Sequence, residues 1–181
     1  TRPTSRPPRQ RVVVTGPFNA GKTTFIKAVS EITVLSTERQ ISDASDEGAG
    51  ETTVAMDFGR ITISDDVVLY LFGTPGQERF SFMWETLSEG MLGFVLLVDV
   101  VDEATYADAK TMIDFFREMS DVPLVVAANK VAADDTETIR QLRGSLGLED
   151  DVPLLPVDAR EKDSVKAVLL GLLYEILESM G

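Results

Sequence analysis

The residues Gly16-Pro-Phe-Asn-Ala-Gly-Lys-Thr-Thr24 fit the pattern G-x-x-x-x-G-K-[ST] and carry the most specific chemistry in the chain. Glycines at those positions let backbone N–H groups curl around a polyphosphate, so Asn19, Ala20 and Gly21 become donors to it. Lys22 can neutralise its terminal oxygens, and the Thr23 hydroxyl is a ligand for Mg²⁺. The motif requires a strand before it and a helix after it, with the phosphate resting on the helix N-terminus. Val12 to Val14 and Phe25 to Ile32 have the composition for both. These residues imply a nucleotide site; the reaction has to be read from what lies downstream.

Three later stretches speak to it. Glu51-Thr-Thr-Val-Ala-Met-Asp-Phe-Gly59 ends a long polar connection, and a threonine there can swing onto a metal and a terminal phosphate, ordering the loop only while that phosphate is present. The same threonines are equally well read as β-branched residues opening a strand. Leu71-Phe-Gly-Thr-Pro-Gly-Gln-Glu-Arg-Phe80 holds a glycine whose N–H can contact the terminal phosphate and, next to it, a glutamine able to orient water. Ala127-Ala-Asn-Lys130 and Val157-Asp-Ala-Arg160 each follow an apolar run, at the carboxyl edge where open α/β sheets bind ligands.

The elements that position these groups alternate. Val54 to Ile63 and Val67 to Phe72 read as an antiparallel hairpin around Ser64-Asp65-Asp66. Gly93 to Val98, Leu124 to Ala128 and Leu154 to Val157 read as strands. Ala104 to Met119, Thr136 to Leu146 and Ser164 to Met180 have helical spacing, and Glu78 to Met91 is amphipathic. Continuous apolar strands alternating with helices predict a sheet covered on both faces. Residues 1–11 carry four arginines and three prolines with little to bury, and read as a flexible basic lead-in. Residues 12–181 read as one domain, and residues 33–51 as a long loop of functional type.

Composition narrows the function. With 44% hydrophobic and 26% charged residues over 181 positions, one well-buried core is expected. A net charge of −13 argues against a nucleic-acid or anionic-membrane face, and the absence of histidine removes it as base or metal ligand. Zero cysteines exclude disulfides and thiolate chemistry within these residues. A nucleotide-dependent protein is most simply cytoplasmic; no apolar run approaches the ~20 residues of a membrane span, and these residues do not open on a signal-like apolar segment.

The order GPFNAGKTT, TTVAMDFG, GTPGQERF, ANK, DAR resembles the Ras-like small GTPases from Arg11 to Gly181. TVAMDFGRI and YLFGTPGQERF look more closely like the bacterial MglA and conservon groups. The resemblance implies a P-loop NTPase fold with a six-stranded, mostly parallel sheet and helices on both faces. It implies a GTP-binding switch that hydrolyses GTP to GDP slowly, with Mg²⁺ as cofactor and a Roadblock-fold protein as partner. Carried over by position, Lys22 would hold the β- and γ-phosphates, Thr23 and Thr53 the Mg²⁺, with Thr52 the alternate, and Thr24 the α-phosphate side. Gly76 would sense the γ-phosphate and Gln77 would position water, making Lys22 and Gln77 the catalytic pair. Asn129 and Lys130 would lie against the base, with Asp158-Ala159-Arg160 the second base-reading loop: Ala159 offers its N–H to guanine and Arg160 covers the ring.

Several positions depart from that pattern. Gly73 and Ala132 stand where Ras-like proteins carry aspartates, one anchoring the Mg²⁺ water and one reading guanine. Asp134 or Asp135 could substitute for the second. Phe18 replaces a cradle glycine, either crowding Gln77 and any incoming arginine or forming a lid beside the phosphates. Arg39 and Arg79 are candidate assisting arginines or solvated charges. Asp99 is read as a loop-orienting carboxylate or as a metal-site one, and Phe80, Phe82, Met83 and Trp84 as half core, half partner patch. Two rivals stay open, a non-hydrolysing nucleotide-binding scaffold and an ATP-using P-loop enzyme.

Overall fold

A computed structural model of the chain describes residues 9–41, 52–75 and 81–181. Strands β1 (Arg9–Thr15), β2 (Leu35–Ile41), β3 (Thr52–Ser64), β4 (Val67–Gly73), β5 (Gly93–Asp99), β6 (Leu124–Asn129) and β7 (Leu154–Val157) form one sheet in the order β2-β3-β4-β1-β5-β6-β7. Helices α1 (Lys22–Val29), α2 (Ser81–Ser88), α3 (Tyr106–Met119), α4 (Thr136–Leu146) and α5 (Lys162–Met180) cover it. β3 pairs antiparallel with both neighbours, and all other pairs are parallel, so β3 alone runs against the rest.

All six expected strands are present, and β2 is a seventh, added at the edge. Its register runs from Leu35 opposite Phe58 to Ile41 opposite Thr52, inside the stretch expected to be loop. Leu35-Ser-Thr-Glu-Arg-Gln-Ile41 shows no apolar alternation, because an edge strand gets its order from a partner's backbone and can carry charge along its length. β1 likewise starts earlier than expected. Arg9, Gln10 and Arg11 pair with Val68 to Tyr70, and the Arg11 guanidinium lies 5.8 Å from the Phe72 ring centroid, so these arginines belong to the sheet and not to a lead-in. Residues 1–8 lie outside the described chain.

Period-two alternation divides the core. Val12, Val14, Val95, Leu97, Val125 and Ala127 pack with Phe25 and Ile26 of α1 and Val168, Leu169 and Leu172 of α5. Val13, Phe94, Leu96, Val98, Val126 and Ala128 face Trp84 of α2, Phe116 of α3 and Leu142 of α4. Every residue of β5 and β6 is buried, as strands covered on both faces require. Gly147 ends α4 as expected, taking a left-handed φ of 63° that returns Leu148 N–H to the Arg143 carbonyl at 3.0 Å.

Trp84 anchors α2. Its ring stacks on Phe116, meets Phe115 edge-on, and its indole N–H donates to the Pro75 carbonyl at 2.8 Å. Of the apolar cluster read around the second switch, Trp84 is therefore core; Phe80 and the side chains of Phe82 and Met83 lie outside those described. Trp84→Ala removes both ring contacts and the bond that ties α2 to the strand β4 exit. We expect a loss of about 3–5 kcal/mol in denaturant unfolding, with a change below 1 kcal/mol contradicting the anchoring role.

Candidate nucleotide-binding site

The cradle is a turn that only glycine can complete. Gly16 has φ 146°, and a Cβ there would sit 2.3 Å from the Leu97 carbonyl oxygen; Gly21 has φ 106°, and a Cβ there would meet Asn129 Nδ2 at 2.8 Å. Between them Asn19 is itself left-handed at φ 65°, a conformation asparagine takes more readily than other non-glycine residues. Gly21 leads straight into α1, so the helix begins at Lys22 rather than at Phe25 and its first N–H groups face the cradle. Thr24 is exposed at the same helix end and lines the adjoining cavity.

Lys22 spans the loop it belongs to. Its Nζ donates to the carbonyls of Gly16 at 2.6 Å and Pro17 at 2.9 Å. Burial lowers its pKa to about 8, against an opposing pull from Asp57. Thr23 donates its hydroxyl to the Asp57 carboxylate. Asp57 is opposite Gly73 in the β3–β4 register, and a Cβ on Gly73 would lie 3.6 Å from Asp57 Oδ2. The neighbouring strand thus brings a carboxylate to the place where Gly73 has none.

Asp57 is the site residue that sequence reading passed over. It stood in view inside Val54-Ala-Met-Asp-Phe58, an acidic residue in an apolar strand, but its meaning depends on a register that only pairing supplies. Thr53 is elsewhere. It lies within β3 opposite Gln40, four residues and roughly 13 Å of strand from Asp57, so the structure does not bring it to Thr23. Gly76, Gln77 and Arg79 lie outside the described residues. Phe18 is 59% exposed on the rim, which leaves no packed lid among the described residues.

Beside the cradle opens a cavity of about 570 Å³. Asn129 assembles it. The Asn129 Nδ2 donates to the Ala20 carbonyl at 3.1 Å, and its Oδ1 accepts from Lys130 N–H at 3.1 Å and Ala159 N–H at 3.2 Å. One buried amide therefore joins the cradle, the β6 turn and the loop after β7, and the Ala159 N–H expected to meet a base is turned to Asn129 here. Lys130, left-handed at φ 68°, sends Nζ to Asp99 Oδ2 at 2.7 Å. Asp99 also accepts from Val101 N–H at 3.0 Å, so it orients the β5 exit loop and not the phosphate cradle. Asp158 and Arg160 stand in the wall as an ion pair at 2.9 Å.

A glycine cradle, a half-buried lysine at a helix start and a cavity at the strand ends define a P-loop nucleotide-binding α/β protein. The chain belongs to the family described as conserved hypothetical ATP binding protein, whose model matches residues 34–179. It is similar to human Ras-related protein Rab-8B, 26% identical over 136 residues covering 72% of this chain and 66% of the relative. It is also similar to Ras-related protein Rab-3 of Caenorhabditis elegans, 26% identical over 181 residues covering 94% of this chain and 75% of the relative. An uncharacterised protein of Methanocaldococcus jannaschii is 30% identical over 128 residues, covering 71% of this chain and 74% of that protein. The chain spans just under two thirds of the length of Rab-8B. No helix among the described residues is long and apolar enough to cross a membrane.

The lowered Lys22 pKa sets a pH dependence. A polyphosphate binds the ammonium form and raises its pKa, so affinity is full below about pH 8 and declines as the free protein's lysine loses its proton above it. Nucleoside diphosphate affinity, titrated from about pH 7 to about pH 9.5, should fall by up to ~10-fold per unit above pH 8. A flat profile would mean that Lys22 does not meet the phosphates.

Proposed function

We propose that this protein is a GTP-binding switch of the bacterial Ras-like kind, which hydrolyses GTP to GDP slowly. The observation that carries the reading is Asn129, which couples the phosphate cradle to the base cavity through bonds to Ala20 and Ala159. A nucleotide spanning both would be sensed as one ligand.

The residues divide the work. Lys22 exchanges the Gly16 and Pro17 carbonyls for the β- and γ-phosphates, whose negative charge raises its lowered pKa again. Asn19, Ala20 and Gly21 offer backbone N–H groups, and Thr24 supports the α-phosphate side. The hydroxyl of Thr23 and the carboxylate of Asp57, in contact with each other, form an oxygen donor pair of the kind a hard octahedral cation takes alongside phosphates and waters. Among the described residues no three aspartate or glutamate side chains gather to hold a metal, and in this reading Mg²⁺ arrives with the nucleotide, whose phosphates supply the remaining oxygens. Once there it would neutralise charge on the terminal phosphates. Gly76 would touch the terminal phosphate and Gln77 orient the attacking water. Thr53 would complete the metal shell only after β3 or its preceding segment rearranges.

Phe18 on the rim fits slow turnover, since a ring there narrows access for an assisting arginine. The resemblance to the MglA and conservon groups supports a cytoplasmic switch read by a Roadblock-fold partner through residues 33–53 and 73–89. The ATP named in the family description keeps an adenine-using reading in play, and Ala132 is the residue that motivates it.

Phosphate release from GTP and from ATP, followed over many turnovers with Mg²⁺, tests the proposal. GTP turnover that falls at least tenfold in Gln77→Leu is expected; binding without turnover, with or without a partner, would leave a scaffold, and preferential ATP turnover would replace the switch by an ATPase. Asp57→Asn should raise the Mg²⁺ concentration needed for tight GDP binding by about tenfold or more. An unchanged Mg²⁺ dependence would remove Asp57 from the metal site.

A further inference from the structure

The cavity that would hold the base has one carboxylate in its wall. Among the residues lining it, Asp158 is the single acidic side chain, and Ala132 contributes only a methyl group. The other acids nearby are committed elsewhere. Asp135 caps α4, accepting from Thr138 N–H at 3.1 Å and from the Thr138 hydroxyl at 2.7 Å. Asp99 is taken by Lys130 and Val101 N–H. Asp134 does not line the cavity.

Asp158 is occupied in an informative way. Its Oδ1 accepts from Arg160 Nε–H at 3.0 Å and from Arg160 N–H at 3.0 Å, while Oδ2 accepts from Nη2–H at 2.9 Å. The guanidinium presents two parallel N–H donors to one carboxylate. Guanine presents the same two-donor fork along its N1–H and 2-amino edge. Adenine carries an acceptor at N1, and xanthine replaces the amino group by a carbonyl. Arg160 is also displaceable, because its side chain is 80% exposed, and exposed ion pairs contribute little. Its hydrogen bonds hold the Asp158 carboxyl below its ordinary pKa, so at neutral pH the group is ionised and accepts only.

We propose that Asp158 reads the base: its carboxylate accepts the N1–H and 2-amino group of guanine, and Arg160 holds those acceptor positions while the cavity is empty. The inference rests on the nucleotide-switch reading above and names the residue that gives it guanine preference in place of the acid missing at Ala132. Once displaced, the Arg160 guanidinium is free to lie over the purine ring.

The test is competition of GDP, xanthosine diphosphate and ADP for the nucleotide-stripped protein and for Asp158→Asn, with melting temperature as a check on folding. The intact protein should prefer GDP over both rivals by about tenfold or more. In Asp158→Asn the new amide donates to the xanthine 2-carbonyl and clashes with the guanine amino group, so the GDP to xanthosine diphosphate preference should invert. Asp158→Ala should lose GDP preference without gaining xanthosine diphosphate. An intact protein that prefers GDP and keeps that preference in both variants overturns this inference and leaves the switch reading standing. Equal weakening of all three nucleotides means Asp158 only shapes the loop, which also overturns it. An intact protein that binds ADP as well as GDP overturns the switch reading, and this inference with it.

Discussion

The structure depends on the complete burial of its central strands. β5 and β6 have no exposed residue, and Val12 to Val14 of β1 are equally shut in. A polar side chain midway along such strands would be buried among apolar neighbours, away from the loops that could pair it. Chemistry is therefore confined to their carboxyl ends, where Gly16, Asp99, Asn129 and Asp158 leave the core within one or two residues of it. Helices on both faces hold the strands in register, which in turn fixes how far apart those ends lie.

Asn129 converts that edge into a site. Three loops leave three different strands, and the Asn129 amide, donating from Nδ2 and accepting twice at Oδ1, bonds to all of them. Its burial makes each bond costly to leave unmade. The left-handed backbone at Lys130, whose N–H bonds to the Asn129 side chain, is strain that this network retains. Local conformation, hydrogen bonding and site geometry are in this way one arrangement rather than three.

The opposite side of the sheet is built differently. β2, β3 and β4 are joined by antiparallel pairing and carry Asp57 to the cradle, where it meets Thr23 and lends its charge to Lys22. The cradle glycine loop and the cross-strand carboxylate come from segments about forty residues apart in sequence. A switch built here would couple the edge strands to the phosphate directly through that contact.

Much of the molecule was legible from residue order alone. The glycine spacing at Gly16 and Gly21, the apolar runs of β5 and β6, the exact spans of α4 and β7, and the helix stop at Gly147 are local signals, carried by backbone sterics and short-range burial. What could not be read locally was whatever depends on a partner. β2 has no apolar pattern because its order comes from β3; Arg9 to Arg11 look like a solvated tail until β4 pairs with them; Asp57 looks like an isolated acid until the register sets it opposite Gly73. Asp158 showed its position by sequence, but its bidentate hold on Arg160 and its isolation as the cavity's one acid exist only in the folded wall. Sequence by itself determined the phosphate cradle and the alternating fold, because glycine torsions and hydrophobic period act over a few residues. Tertiary structure decided which carboxylate meets the cradle and which lines the cavity, because strand pairing sets Asp57 opposite Gly73 and the loop after β7 carries Asp158 into the cavity wall.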